Sequence, residues 1–375
     1  LSLPERCYSD VLRDWTGYDA TDGAYRETSS AIARILNLEL SVQALETNLA
    51  ADAQDVAAFS AQPASARDPR PAGSILVVQA DGKGVPMVQP RLDNPPLRLG
   101  KGQKRTKKKE AIVTSLYSIA PFVRTPADVR AALLHEKRRA DHPTRPQPIA
   151  KELRASLEGK ATAMHLLQQR APLREGPHIQ ARVALTDGAE SLQQHILSSF
   201  PGFTLVLDII HASEYLWDTA TALLGETNPA RTAWVAAKLE LVLQGASASV
   251  VSQLREETTK AAWSEVQRKA LERTIGYYER NQAYMRYDEY LAKGWPIGTG
   301  VVEGACGHLV KDRMEQAGMR WTQAGAQAML DVRAVRLNRD WDAYWQFHQR
   351  QQHQRLYGGT TPVAAPEAQV LQMAA

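Results

Sequence analysis

The pattern of apolar and polar positions changes near residue 73. Before it, apolar residues recur at helical spacing over 25–36 and again over 42–59. Asn37-Leu38-Glu39-Leu40-Ser41 separates the two runs, and Ser41 is placed to cap the second. Helix, short polar turn, helix is the outline of half a helix-turn-helix DNA reader, and a plain helical hairpin has the same pattern. Residues 61–72, A-Q-P-A-S-A-R-D-P-R-P-A, form a proline-rich linker and a boundary.

After the boundary, S-I-L-V-V-Q-A over 74–80 predicts a strand running into a turn at Asp81-Gly82, with 85–89 returning antiparallel. E-A-I-V-T-S-L-Y-S over 110–118 is a third strand, rich in β-formers. Helical spacing follows over 125–139, is broken by Pro143, Pro146 and Pro148, and resumes over 151–169. A-R-V-A-L-T over 181–186 is a fourth strand ending at Asp187-Gly188, and a helix then runs to Ser199. Residues 203–207 form a fifth strand entering Asp208-Ile209-Ile210-His211 and another helix. Residues 212–293 carry no strand pattern, and Asn228-Pro229 and Gly245 are their clear breaks, which predicts an all-helical insertion. The stretch 295–321 follows, then a helix over 322–338. Residues 346–375, first Gln/His/Arg-rich and then Pro/Ala-rich, are expected to be a disordered tail.

Three adjacent strands followed by alternating helices and strands predict an α/β fold, a mixed sheet with helices on its faces. Ribonuclease H-like domains use this order. The expected architecture is a ribonuclease H-like sheet from 73–211 and 294–345, the helical insertion at 212–293, and a small helical region at 1–60.

With 375 residues, the chain is long enough for a large core in two or three units. A hydrophobic content of 44% and a charged content of 23% are those of an ordinary globular protein. The net charge of +4 permits a polyanionic partner without demanding one. Two cysteines, Cys7 and Cys306, supply neither a disulfide framework nor a zinc site. No apolar run reaches membrane-span length and no signal-peptide pattern is visible, so the expectation is a cytoplasmic protein.

The candidate chemistry centres on 295–321, W-P-I-G-T-G-V-V-E-G-A-C-G-H-L-V-K-D-R-M-E-Q-A-G-M-R-W. Pro296, Gly298 and Gly300 mark an irregular loop, and helical spacing starts near Val301. Glu303 then falls in the first helical turn, where the helix dipole favours a carboxylate. Gly300, Gly304 and Gly307 around it would let the helix approach a sheet, a metal cluster or a phosphate chain. Asp81 and Asp187 end two strands expected to be neighbours. Each has a plain alternative: Asp81 as a turn residue, Asp187 as a helix cap in a box with Glu190. Taken together, three converging carboxylates repel by about 4 kcal/mol per pair at ~4 Å and an effective dielectric of about 20. Divalent cations relieve that repulsion, and two of them suit phosphodiester transfer. Asp208 and His211 read either as a helix cap with a first-turn histidine or as a supporting pair at the junction.

The basic run Arg98, Lys101, Lys104, Arg105, Lys107, Lys108 and Lys109, with Lys311, Arg313 and Arg320, offers phosphate contacts or simply solvated charge. Trp295 and Trp321 could stack on a base or pack in the core. The Gly298–Gly304 glycines lack the preceding strand of a dinucleotide loop. His135 lacks the second histidine of a zincin, and Cys306 has no evident base.

G-V-V-E-G-A-C-G-H-L-V-K-D-R-M-E-Q-A-G-M-R-W, L-T-D-G-A-E-S-L and F-P-G-F-T-L-V-L-D-I-I-H-A-S-E-Y-L-W resemble the signatures of ISKra-type insertion-sequence transposases. These are DDE transposases with a helical insertion, related to Mutator-like elements. The resemblance spans most of 1–345 and is most specific at 181–217 and 293–345. It implies a ribonuclease H-like fold and a catalytic, metal-holding triad at Asp81, Asp187 and Glu303, with two Mg²⁺ or Mn²⁺ ions. Asp208 and His211 match the group's accessory C/D-x-x-H pair. The implied reaction is strand cleavage at the terminal inverted repeats of an element and strand transfer into target DNA. The implied setting is a homo-oligomer on DNA, nucleoid-associated in a bacterial cytoplasm. Gly307 stands where the group is expected to carry a basic residue, and the N-terminus is expected to be short of a DNA-binding region. A metal-dependent nuclease without strand transfer, and an inactive relic that only binds DNA, are the rival functions.

Overall fold

A computed structural model of the chain describes residues 8–62, 72–89, 107–136, 144–260, 262–316 and 318–357. Its centre is one sheet of five strands: β1 Ile75–Pro86, β2 Lys108–Ile119, β3 Ile149–Ser156, β4 Ala181–Thr186 and β5 Thr204–Leu207. Their order is β3-β2-β1-β4-β5. β2 runs antiparallel to both of its neighbours, β1 and β3, and β4 and β5 join parallel to β1. Both faces are covered, which is why β1, β4 and β5 read as apolar runs rather than alternating ones.

On one face Leu76, Val78, Ala80, Ile112, Leu116 and Ala184 pack under α6 (Lys160–Arg170) and α7 (Glu190–Ser199). The other face carries two separate cores. Ile75, Val77, Val183, Leu185 and Val206 pack with α8 (Ile209–Leu224), α9 (Ala230–Leu243), α10 (Ser247–Thr258), α11 (Glu265–Asn281) and α12 (Tyr287–Ala292). Further along the same strands, Val85, Ala111, Val113, Leu153 and Ala155 pack with the helices after residue 300. That second core also takes Ile32, Leu45 and Leu49 from the helices that open the chain: α1 Asp10–Ala20, α2 Tyr25–Leu36, α3 Val42–Asp52 and α4 Val56–Ala61. The N-terminal helices therefore complete the core of the last helices. No helix among the described residues is long and apolar enough to cross a membrane.

Several elements differ from the sequence expectation. Asp81-Gly82 is not a turn: β1 continues through it, because 82–86 find backbone partners in the start of β2, from Gly82 opposite Ile112 to Pro86 opposite Lys108. The separate strand expected at 85–89 is not formed: Val85 and Pro86 are the far end of β1, and Met87 makes an isolated bridge to Trp321. The third strand of the meander lies at Ile149–Ser156, inside the stretch expected to be helical from 151. Helix starts only at Lys160, after Gly159 at φ +90°. The helix expected over 125–139 is shorter, α5 at Pro126–Leu133. The helix after 341, α16, runs Trp341–Tyr357, so the first part of the expected tail is ordered against Phe59 through Tyr344 and Phe347. Residues 358–375, and 63–71 of the expected linker, lie outside the described residues.

β3 is a sheet edge, and α15 (Gln323–Leu337) covers it. Gln327 accepts from Leu157 N at 2.8 Å and donates to Ala155 O at 3.0 Å. Asn338 does the same for Leu153, at 2.8 and 3.0 Å. These bonds satisfy backbone groups that an open edge would offer to another chain. Between them Asp331 accepts from Gln327 at 2.9 Å beside a cavity of about 20 Å³, room for about one water, lined also by Glu152 and Arg154. Burial pushes the Asp331 carboxyl up to about 7, against the pull of Gln327 and Arg154.

A carboxyl raised on folding stabilises the fold fully below its unfolded value of 3.8 and loses that contribution as pH rises through about 7. Asp331→Asn keeps the acceptor and removes the charge. It should stabilise the protein at pH 8 by ~1–3 kcal/mol, below the full linkage value because the side chain keeps some solvent contact, and by little at pH 4. Urea unfolding at the two pH values checks this, and equal stability of variant and parent at pH 8 would contradict it.

Candidate metal centre

The register of β1 and β4 runs from Ile75 opposite Ala181 to Gln79 opposite Leu185. Carried two residues on, it sets Asp81 opposite Asp187. The register of β4 and β5 ends at Thr186 opposite Leu207, which sets Asp187 opposite Asp208. Adjacent strands lie ~4.8 Å apart, so three aspartates line up across the sheet. By strand alternation Asp81 shares the face of Val77 and Val85, and so falls between the two cores on that face.

The fourth acid arrives from the far side of the helical insertion. Residues 297–299 lead into α13 (Gly300–Ala305), which continues as a π-helical segment Cys306–Lys311 and a last turn α14, Asp312–Met314. Val302, Ala305, Leu309, Val310 and Met314 of this segment are buried.

Two buried side chains fasten this segment to the sheet. Gln79 donates to Tyr117 Oη at 3.1 Å and Gly298 O at 3.4 Å, and accepts from Ser115 Oγ at 3.2 Å and Val302 N at 2.9 Å. All four hydrogen-bonding positions of the amide are used. Asp208 caps α8, accepting from Ile210 N and His211 N, both at 3.2 Å. It also accepts from Thr299 N at 3.2 Å and His211 Nδ1 at 2.6 Å. Ile209 N adds a bond to Ile297 O at 3.0 Å. Sequence reasoning missed Gln79, whose signal was one polar residue inside the apolar run I-L-V-V-Q-A.

The acids have distinct environments. Asp81 accepts from Gly82 N at 2.6 Å and from the Cys306 thiol at 3.3 Å. Burial raises its pKa despite those two bonds, and the charge of Asp187 raises it further. Burial holds the Cys306 thiol above its ordinary range, so it is a donor to Asp81 and not a nucleophile. Asp187 does not cap α7 in a box with Glu190: the cap residue is Ala189, which has no side-chain bond to give. Oδ1 of Asp187 accepts from Ala189 N at 2.9 Å, while its carbonyl accepts from Tyr277 Oη at 2.8 Å. Gly188, at φ +94°, makes the turn that presents the acid. Glu303 accepts from Thr299 Oγ1 and is 39% exposed. His211 is raised to about 9 by its bond to Asp208, with Glu214 and Asp187 adding to the pull, and it sits 4.0 Å from Glu303 Oε1.

The glycines of α13 have a narrower role than expected. A Cβ at Gly300, Gly304 or Gly307 would meet no atom within 4 Å, so they do not bring this helix against the sheet. They leave its outer side open beside Glu303.

Asp208, His211 and Glu303 offer ligand atoms within 4.8 Å of one another and could hold a metal ion. Their bonding weighs against that set as it stands. Asp208 has four donors on its carboxylate, and a protonated His211 has no lone pair to give. Asp81, Asp187 and Glu303 are hard ligands of the kind Mg²⁺ and Mn²⁺ take, but both Asp81 oxygens already accept a bond, and among the described residues no cluster that includes Asp81 or Asp187 brings three ligand atoms within 4.8 Å of one another.

The expected phosphate contacts divide. Arg313 is a correction: it is fully buried, donates to Ala20 O at 2.8 Å, and lies 5.1 and 5.0 Å from the Tyr25 and Trp321 ring centroids. Trp321 is accordingly a core residue, with Nε1 donating to Met314 O at 3.1 Å. Lys108 pairs with Glu315 at 2.8 Å and Lys109 donates to Gln323 at 2.7 Å. Lys107, Lys311 and Arg320 are exposed. Arg98, Lys101, Lys104 and Arg105 lie outside the described residues.

No protein-family model matches the chain. No curated protein matches it at a significant level. Among solved structures, a chain of the Drosophila P element transposase strand transfer complex aligns over 93% of this chain and 82% of its own length, at 10% identity and a TM-score of 0.29. A likeness this weak supports no statement about fold or function.

In a chelator, the His211 ring should titrate near pH 9 by NMR, and Asp208→Asn should move it down towards 6.5. The sign follows from the raised value: His211 stabilises the fold fully below 6.5 and that contribution disappears as pH rises through about 9. A titration near 6.5 in the parent protein would refute the pairing. Gln79→Leu strands the Gly298 carbonyl and the Ser115 and Tyr117 hydroxyls. It should cost ~1–3 kcal/mol of stability and weaken Mn²⁺ binding by ~10-fold or more, measured calorimetrically. Unchanged Mn²⁺ affinity would show that 297–303 is held without it.

Proposed function

We propose that this chain is a metal-dependent DNA phosphodiester enzyme, a transposase of the DDE type on a ribonuclease H-like fold. The observation that carries the reading is the registration of Asp81 and Asp187 across neighbouring strands, close enough that Asp187 adds to the raised Asp81 carboxyl. The sheet order, with three antiparallel strands and two parallel additions, supports it, as does the helical insertion between β5 and α13.

Asp81, Asp187 and Glu303 would hold the cations. Two Mg²⁺ or Mn²⁺ ions supply activation of the attacking water or 3′-hydroxyl and charge stabilisation at the leaving oxygen. The remaining roles belong to the chain. Gln79 and Asp208 fasten the segment that carries Glu303 to the sheet. The Cys306 thiol orients one Asp81 oxygen. His211, protonated at neutral pH, places a positive charge beside Glu303 and offsets the clustered carboxylates. The open side of α13 leaves room for a DNA backbone. Element ends and target DNA are the proposed substrates, and joining of 3′ ends distinguishes this reading from a nuclease.

Asp81→Asn, Asp187→Asn and Glu303→Gln should each lower Mn²⁺-dependent cleavage and joining of DNA ends by ~100-fold or more. In chelator each should melt at or above the parent temperature, because each removes repulsion from an empty cluster. A variant with full activity would remove that residue from the site. Cleavage without joining of pre-cleaved ends would favour a nuclease, and DNA binding without any cleavage an inactive relic.

A further inference from the structure

The insertion reaches the carboxylate row through tyrosines. Tyr277, Tyr278 and Tyr287 donate their hydroxyls to the carbonyls of Asp187, Ala212 and Leu207, at 2.8, 2.8 and 3.0 Å. Tyr277 also belongs to a stacked series. Its ring lies 3.8 Å from that of Tyr215 in α8, centroid to centroid, with planes 12° apart. The guanidinium of Arg273 sits 4.8 Å over Tyr215, and that of Arg280 lies 5.8 Å from Tyr277. A Cβ on Gly188 would come within 2.8 Å of the Tyr277 ring, so the series is packed against the turn that carries Asp187.

We propose that Arg273 and Arg280 are a fixed pair of phosphate contacts that guide a DNA strand past the carboxylate centre. The proposal rests on reading that centre as one that acts on phosphodiesters. Both arginines are exposed, while Tyr277 is 3% exposed. The ring faces are covered by each other and by the guanidiniums, so a base has no platform to stack on. What is left facing solvent is the N–H edge of each guanidinium, a fork that matches phosphate oxygens. Stacking holds those forks in place before a ligand arrives, which lowers the ordering cost of each contact. Arg280 has no carboxylate within 4.0 Å among the described residues. Arg273 shares Asp218 at 3.4 Å, with both side chains 62% exposed, a pairing that phosphate can replace. Two helical turns separate the arginines, about 10 Å along the axis and on one side of α11. That spans roughly three nucleotides of a strand at ~3.4 Å each.

The test measures binding apart from chemistry. Fluorescence anisotropy with a labelled DNA duplex, in chelator and across KCl concentrations, gives the dissociation constant and its salt slope. Arg273→Gln/Arg280→Gln should melt like the parent, bind more weakly, and lower the slope by about 1.8, the counterion release of two phosphate contacts. Duplexes with single neutral methylphosphonates locate the contacts: the parent should lose affinity at particular positions to which the double variant is indifferent. An unchanged slope, no DNA binding by the parent, or the same methylphosphonate pattern in both proteins would overturn the proposal. Cleavage by the parent with Mn²⁺ is scored separately. Arginine-dependent binding without cleavage sinks the proposed function and keeps this surface, while cleavage with an unchanged slope sinks this surface alone.

Discussion

The hydrogen bonds that Gln79 and Asp208 make to the segment entering α13 fix where the returning chain meets the sheet. The chain leaves the sheet at Asp208 and returns only at Ile297, after a run of helices with no described strand between them. Apolar packing in the two cores on that face is non-directional and would tolerate small slides of the returning segment. The bonds from Gln79 to Gly298 and Val302, and from Thr299 to Asp208, do not. They set the entry point of α13 between the two cores, and so set Glu303 beside Asp208 and His211. Gln79 lies two residues before Asp81 on the same strand face, so the fastening and the first acid share one rigid element.

The electrostatics follow from that placement. Clustered carboxylates on the covered face of a sheet are costly unless something offsets them. The chain offers a partial remedy in His211, whose charge is secured by Asp208. Asp208 is thereby a support: its oxygens are occupied, and it fixes the histidine, the start of α8 and the returning loop together. Asp81 has a carboxyl pKa raised chiefly by burial, with the charge of Asp187 adding to it.

Much of this was legible in the residues. The fourth and fifth strands and α2 came from local patterns that tertiary context did not override. What was not legible was long-range. Asp81-Gly82 carries a turn signature, but the far half of β1 is held extended by pairing with β2. β3 read as helix because Lys151 to Leu157 lacks β-branched residues and runs on into a helical pattern, although Leu153, Ala155 and Leu157 alternate with polar residues, and it is a strand because β2 and the Gln327 and Asn338 side chains pair with it. Arg313 looked like a surface cation in a basic run, yet Tyr25, from a helix nearly three hundred residues earlier, and Trp321 enclose it. Gln79 is the instructive omission: one amide in an apolar strand is the mark of a buried polar group with specific partners.

The central claim is that Asp81, Asp187 and Glu303 together hold divalent cations. Crystals of the protein soaked in Mn²⁺ test it most directly, through anomalous difference density. The account predicts peaks bridged by the carboxylates of Asp81 and Asp187, with Glu303 completing the site and His211 uncoordinated. A peak on Asp208, His211 and Glu303 instead, or no peak on Asp81 and Asp187 at saturating Mn²⁺, would contradict it.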